Sequence, residues 1–220
     1  MIGANLNRIN KELPKHVVLV AVSKTKPIED LQEAFDAGQR IFGENKVQEM
    51  AAKWEVLPKE IEWHFIGHLQ RNKVKYLAPF VSLIHGVESL RLLKEVNKQA
   101  LKSNRIIDVL LQFYIADEET KFGLSEEEAN DLLNSEEYKL LKNIQIRGVM
   151  GMATFTKDQE KIKGEFHKLK KIHSSLKANH FSNNHLFDIV SMGMSGDYET
   201  AIDEGSTMIR IGSSIFGARN

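Results

Sequence analysis

The run Val17-Val18-Leu19-Val20-Ala21-Val22 leads directly into Ser23-Lys24-Thr25-Lys26-Pro27. Six consecutive apolar residues, four of them valine, suit a strand buried on both faces rather than one that alternates between core and water. Pro27 then opens a helix, with Leu31, Ala34 and Phe35 on one face and Gly38 as its stop. Apolar run, polar exit, amphipathic helix: this is one βα unit of a parallel sheet.

Outward from this unit the same alternation recurs. Further apolar runs fall at residues 40–43, 62–67, 81–86, 106–115, 144–150, 187–190 and 207–211. Helical patterns separate them, the clearest at 88–102, 125–134 and 158–178. Eight βα units in about 200 residues are what a TIM barrel needs. No Gly-x-Gly-x-x-Gly turn follows the first strand, as an open dinucleotide-binding sheet would require. The predicted fold is therefore α/β: a single (β/α)8 TIM barrel, residues 1–220, with a short extra helix at the N-terminus. No low-complexity tract, linker or break in composition gives a reason to cut the chain.

Composition narrows the function classes. Lys plus Arg and Asp plus Glu both count 30, so the formal net charge is zero. That balance argues against nucleic acid or an anionic membrane as the main partner. There is no cysteine, which removes disulfides and thiolate chemistry. No stretch of about 18 apolar residues is present to span a bilayer. The first residues lack the charged and apolar regions of a signal peptide. A cytoplasmic protein is expected.

In a barrel the strand exits converge on one face, where active sites are built. Here they carry Ser23-Lys24-Thr25-Lys26, Gly43-Glu44-Asn45, Gly67-His68, His85-Gly86, Met150-Gly151, Ser191-Met192-Gly193 and Arg210-Ile211-Gly212-Ser213. Lys24 follows its strand by two residues, and a lysine in a partly dry mouth becomes a nucleophile for carbonyls. Lys26 shares its strand parity, so parity does not separate the two. Lys26 precedes Pro27 at the exposed start of a helix, and depth favours Lys24. The clusters Ser191 to Asp197 and Arg210 to Ser214 follow the seventh and eighth strands, where barrels often hold phosphate. Their small residues let backbone N–H groups approach an anion. The same residues also suit turns and helix caps, and Ser195 with Asp197 could cap a short helix.

Arg210 stands inside an apolar run and must meet an anion or a strong acceptor, whether ligand or structural ion pair. His64 and His68 are four apart, a spacing that aligns metal ligands only on a helix. The segment Phe65-Ile66-Gly67 reads as a strand end, so hydrogen-bonded neutral histidines are expected there, with no metal. Glu44, Asn45 and His85 are pocket-lining candidates without a role assignable from spacing. Glu126 to Glu128, and the lysines from Lys157 to Lys171, read as solvated helix faces.

Taken together these segments resemble the pyridoxal phosphate homeostasis protein family. The resemblance covers nearly the whole chain. Its most specific stretches are Ala21 to Pro27, Phe42 to Glu49, Trp63 to Gln70, Ile189 to Ser195 and Arg210 to Arg219. It implies a barrel like the N-terminal domain of alanine racemase, and pyridoxal 5′-phosphate (PLP) as cofactor, held as an internal aldimine on Lys24. It further implies that Ser191, Gly212 and Ser213 hold the phosphate, that Arg210 sits near the pyridine nitrogen, and that Asn45 lies near the cofactor. The run Met150-Gly151-Met152-Ala153-Thr154-Phe155 departs from the pattern and leaves the wall after the sixth strand open. An arginine does not readily yield its proton to the ring nitrogen, which would restrain carbanion chemistry on the cofactor.

Three functions compete. The first is a protein of intracellular PLP homeostasis that supplies PLP to apo-enzymes through transient contacts and works as a monomer without catalysis of its own. The second is a small amino-acid racemase using Lys24. The third is a Schiff-base or phosphate-substrate barrel without PLP. Racemisation needs acid–base groups on two faces of the α-carbon. Of the four tyrosines, Tyr114 is the one whose strand position could face the pocket.

Overall fold

The computed structural model describes residues 1–116 and 122–217; Ala218 and Arg219, the end of the last quoted segment, lie outside them. Among the described residues the elements are α1 (Ile2–Glu12), β1 (Val18–Val22), α2 (Ile28–Asp36), β2 (Ile41–Glu44), α3 (Val47–Val56), β3 (Glu62–Phe65) and α4 (Val74–Leu77). They continue with β4 (Leu83–Val87), α5 (Leu90–Lys102), β5 (Ile107–Gln112), α6 (Glu126–Asn134), α7 (Glu136–Lys139), β6 (Ile144–Met150) and α8 (Gln159–His180). The last are β7 (Ile189–Ser191), α9 (Tyr198–Asp203), β8 (Met208–Ile211) and α10 (Ser213–Phe216). The strands close in sequence order into a barrel. Every pairing is parallel, and β1 meets β8 with Val18 opposite Met208 and Val20 opposite Arg210. The predicted TIM barrel and its extra N-terminal helix are thus observed.

Several boundaries differ from the sequence reading for local reasons. Val81 is buried but sits outside β4, because its N–H bonds Leu77 O and closes the preceding helical turn. Phe187 precedes β7, its ring stacked on Phe181 and His173 outside the barrel. The fifth run is shorter than 106–115: Phe113 makes only an isolated bridge to Leu124. Helix starts follow their caps: Ser89, Ser125 and Asp158 each accept a backbone N–H with the side chain. Ser125 and Glu128 complete a capping box.

Two apolar clusters divide the core. The larger lies between the strands and the helices, where Leu19, Ala21, Phe42, Trp63 and Phe65 face outward from the barrel. The smaller fills the barrel interior with Val20, Leu83, Leu110, Met150 and Met208. Side chains alternate along a strand, so inward positions nearer the strand ends are read by parity from these. They are His64, His85, Gln112, Ser191 and Arg210, all buried. The barrel therefore has an apolar floor and, toward the mouth, a polar layer that Met150, in register with Gln112 and Ser191, interrupts. Among the described residues no helix is long and apolar enough to cross a membrane.

Candidate functional site

Above the polar layer opens a cavity of about 600 Å³ at the strand exits, with Lys24, Ser195, Arg210, Gly212, Ser213 and Ser214 on its wall. Lys24 continues the parity of Val20 and Val22, which carries it from the barrel interior to the mouth. Lys26 also reaches the cavity, but its Nζ donates to Phe216 O at 3.0 Å and ties it to α10. On the adjoining wall α10 follows its N-cap residue Gly212, so the N–H groups of Ser213 and Ser214 belong to its unpaired first turn. A Cβ on Gly212 would stand 3.1 Å from Val22 O, so this loop runs close against the end of β1. Ser195 Oγ accepts from Gly212 N at 3.3 Å and stitches the two phosphate-candidate loops together.

Asp197 stands at the N-cap position of α9 without capping it by its side chain. It accepts instead from Met194 N at 2.6 Å and fixes the turn that presents Ser195. That turn requires Gly193, whose φ is +95° and whose added Cβ would stand 2.7 Å from Ala201 Cβ.

Arg210 is the best-anchored group. Its NH1 donates to Ser191 Oγ at 2.7 Å and its NH2 to Gly151 O at 3.1 Å. Ser191 Oγ lies 3.1 Å from His85 Nδ1, and His85 Nε2 lies 3.1 Å from His64 Nδ1. Guanidinium only donates, so Ser191 accepts from it and gives its own proton to His85 Nδ1. His85 is then the Nε2–H tautomer and donates to His64 Nδ1. Burial pushes the His64 pKa down to about 3, and burial, then His64 and Arg210, holds His85 well below its usual range. Both rings are neutral at pH 7. Burial lowers Arg210 to about 10, against the opposing pull of Asp197, so the guanidinium stays charged at pH 7.

Of the six residues singled out from the sequence, Lys24, Arg210, Gly212 and Ser213 share the cavity wall, whereas Asn45 and Ser191 are not on it. Ser191 is fully buried behind Arg210, its hydroxyl committed on both sides. Asn45 follows β2, and Gly67 passes so near that an added Cβ would come within 2.5 Å of Asn45 O. His68 faces Glu88 at 3.2 Å, away from His64 and His85. The wall after β6, left open by the sequence, is made by Met152, Thr154 and Phe155. Glu165 of α8 grips Thr154 at its N–H (2.6 Å) and its hydroxyl (2.7 Å), while Phe155 is 99% exposed at the rim. Tyr114 belongs to a separate groove beside α8, with Lys168 Nζ 5.5 Å from its ring, and no tyrosine lines the cavity.

Beneath Lys24 lies a group that sequence reasoning missed. Lys53 is buried and bonds Glu44 Oε1 and Glu49 Oε1, each at 2.8 Å, and Ser23 O at 2.9 Å. Its one sequence signal was the i,i+4 spacing from Glu49 on a helix.

The comparisons with known proteins bear on the family and the fold. The family model described as "Alanine racemase, N-terminal domain" matches residues 1–220. The pyridoxal phosphate homeostasis protein of Aquifex aeolicus is 40% identical over 203 residues, covering 91% of this chain and 86% of that one. The Escherichia coli K12 relative of the same name is 37% identical over 211 residues, covering 94% and 88%. This chain belongs to the pyridoxal phosphate homeostasis protein family. The structure of PipY from Synechococcus elongatus without PLP aligns with a TM-score of 0.91 at 33% identity, covering 99% of this chain and 100% of that one. PipY with PLP bound aligns at 0.88 and 32%, with the same coverage. An alanine racemase from Clostridium difficile aligns at 0.77 with 15% identity over 56% of its length, a likeness of fold alone.

Proposed function

We propose that this chain binds PLP through Lys24 and serves PLP homeostasis, holding the reactive aldehyde and releasing it to apo-enzymes. The observation that carries this reading is the convergence, in one cavity, of an amine, a guanidinium and an anion cup. These are complementary to an aldehyde, a ring nitrogen and a phosphate. Lys24, once its ammonium has given up a proton, would be the residue that holds the aldehyde carbon, with the aldehyde oxygen released as water. Ser195, Ser213 and the first N–H groups of α10 take the phosphate, with Gly212 letting the loop approach. Arg210 takes the ring nitrogen. Ser191 then acts on Arg210 and not on the phosphate. Asn45 holds the β2 exit beside β3 without touching the cofactor. The names of the family relatives and the PLP-bound PipY structure support the cofactor.

The racemase reading has no observation in its favour, since the cavity wall offers no tyrosine for a second face. We further propose that residues 1–220 act as one barrel domain, monomeric and cytoplasmic, in keeping with a balanced charge and a cysteine-free sequence. Borohydride trapping followed by peptide mapping tests the central assignment. Label is expected on Lys24, and Lys24→Ala should lose the visible absorbance while Lys26→Ala keeps it. A full covalent signal in the Lys24 variant would overturn the assignment.

A further inference from the structure

We propose that Lys53, together with Glu44 and Glu49, is a positioning cluster that locks the exit of β1 so that the Lys24 amine meets an incoming aldehyde. This rests on the reading that Lys24 carries the cofactor. Lysine is among the residues least often buried, yet Lys53 is buried and its three N–H donors are matched by three acceptors: Ser23 O, Glu44 Oε1 and Glu49 Oε1. The same carboxylates reach the chain on both sides of Lys24. Ser23 Oγ donates to Glu44 Oε1 at 2.6 Å, and Thr25 N–H donates to Glu49 Oε1 at 2.6 Å. Thr25 has φ +66°, a conformation a β-branched residue keeps only when its surroundings hold it.

The cluster does not reach the cavity. Glu44 has the parity of the outward-facing Phe42, so it sits between the barrel and α3, and none of the three side chains is on the wall. A cluster of two buried ionisable groups and a partly exposed third is weak support for stability, because apolar residues of like volume often serve a core as well. What this trio does that apolar residues could not is bond the backbone and hydroxyl of the residues flanking Lys24. Without that hold Thr25 relaxes out of its positive φ and the Lys24 amine swings from its line. Lys26, two residues on and also at the wall, then competes for the aldehyde.

The test uses the full chain with PLP, following the growth of the visible band and then mapping borohydride label between Lys24 and Lys26. Wild type should carry label on Lys24. Glu49→Ala should slow capture about tenfold or more, the order of loss that follows a small misplacement of a reacting group, and should move part of the label to Lys26. Glu49→Gln keeps an oxygen acceptor for Thr25 N–H and should restore both rate and label position. Lys53→Met should behave as Glu49→Ala does; should it fail to fold, the partly exposed Glu49 pair still decides. Melting temperatures that fall in Glu49→Ala while rate and label position stay at wild-type values would make the cluster purely structural and overturn the proposal. Wild-type protein without label on Lys24 would sink the cofactor reading and the clamp with it, whereas labelled wild type with indifferent variants sinks the clamp alone.

Discussion

Ser191 and Ser195 stand four residues apart, one at the last inward position of β7 and the other beyond the Gly193 turn. The strand aims the first into the barrel interior, and the turn brings the second out to the cavity. The phosphate role should therefore follow Ser195. Ser195→Ala removes a hydroxyl donor to a charged acceptor, worth about 1.5–3 kcal/mol, or roughly tenfold to a hundredfold in PLP affinity. Pyridoxal, which lacks the phosphate, should bind the variant as it binds wild type. Ser191→Ala frees Arg210 NH1 instead and should weaken PLP and pyridoxal alike. Titrations of both ligands against both variants decide, and a phosphate-specific loss in Ser191→Ala would restore the assignment first read from the sequence.

The two histidines behind Ser191 make a second test at this scale. Burial holds His64 near 3 in the folded chain, with His85 also depressed, while both return to about 6.5 when unfolded. Above pH 6.5 both states are neutral and these rings add no slope. Below it the unfolded chain takes up protons that the folded chain refuses. Stability should then fall, by about 1.4 kcal/mol per pH unit for each ring, until the folded pKa is reached. Urea unfolding from pH 7 to 4 should show this, and His64→Asn should flatten the slope. An unchanged slope in that variant would mean that His64 titrates normally in the fold.

Among the elements, β1 was legible because a parallel barrel strand buried on both faces stands out as an unbroken apolar run. The other strands, several broken by residues such as Glu62, Asp108 and Arg147, were legible from their alternation with helical patterns. Their ends were less legible. Whether Val81 or Phe187 joins a ladder depends on a helical turn closing before it or a ring stacking outside it, and neither leaves a mark in the local sequence. The site divides in the same way. Lys24, Arg210, Gly212 and Ser213 were readable because each sits at a strand exit, whose place a barrel dictates. Lys53 was not, because its partners come from β1 and β2 as well as from its own helix. Tight approach between exits gives a test at this scale. Gly67→Ala puts a methyl within 2.5 Å of Asn45 O and 2.9 Å of Asn45 Cα, both backbone atoms. Overpacking of this kind costs about 1–3 kcal/mol, so the urea midpoint should drop with the m-value unchanged. A midpoint equal to wild type would show that the two exits separate freely.

For the whole molecule, closure is made by β1 pairing β8, the most distant strands in the sequence. A chain cut before Thr207 would leave β1 and β7 as open edges, which invite pairing with other chains. Such a fragment should aggregate under conditions that keep the full chain in solution, and a soluble, cooperatively unfolding fragment would contradict this. The interior has a consequence of its own. Val20, Leu83, Leu110 and Met208 fill the barrel below the polar layer, and Met150 joins them from beside Gln112 and Ser191, so the vessel is blind at one end. What enters at the strand exits must leave at the strand exits. Were cargo passed between two proteins here, donor and acceptor would share that one face and take turns at it, so that delivery would obey the kinetics of a queue.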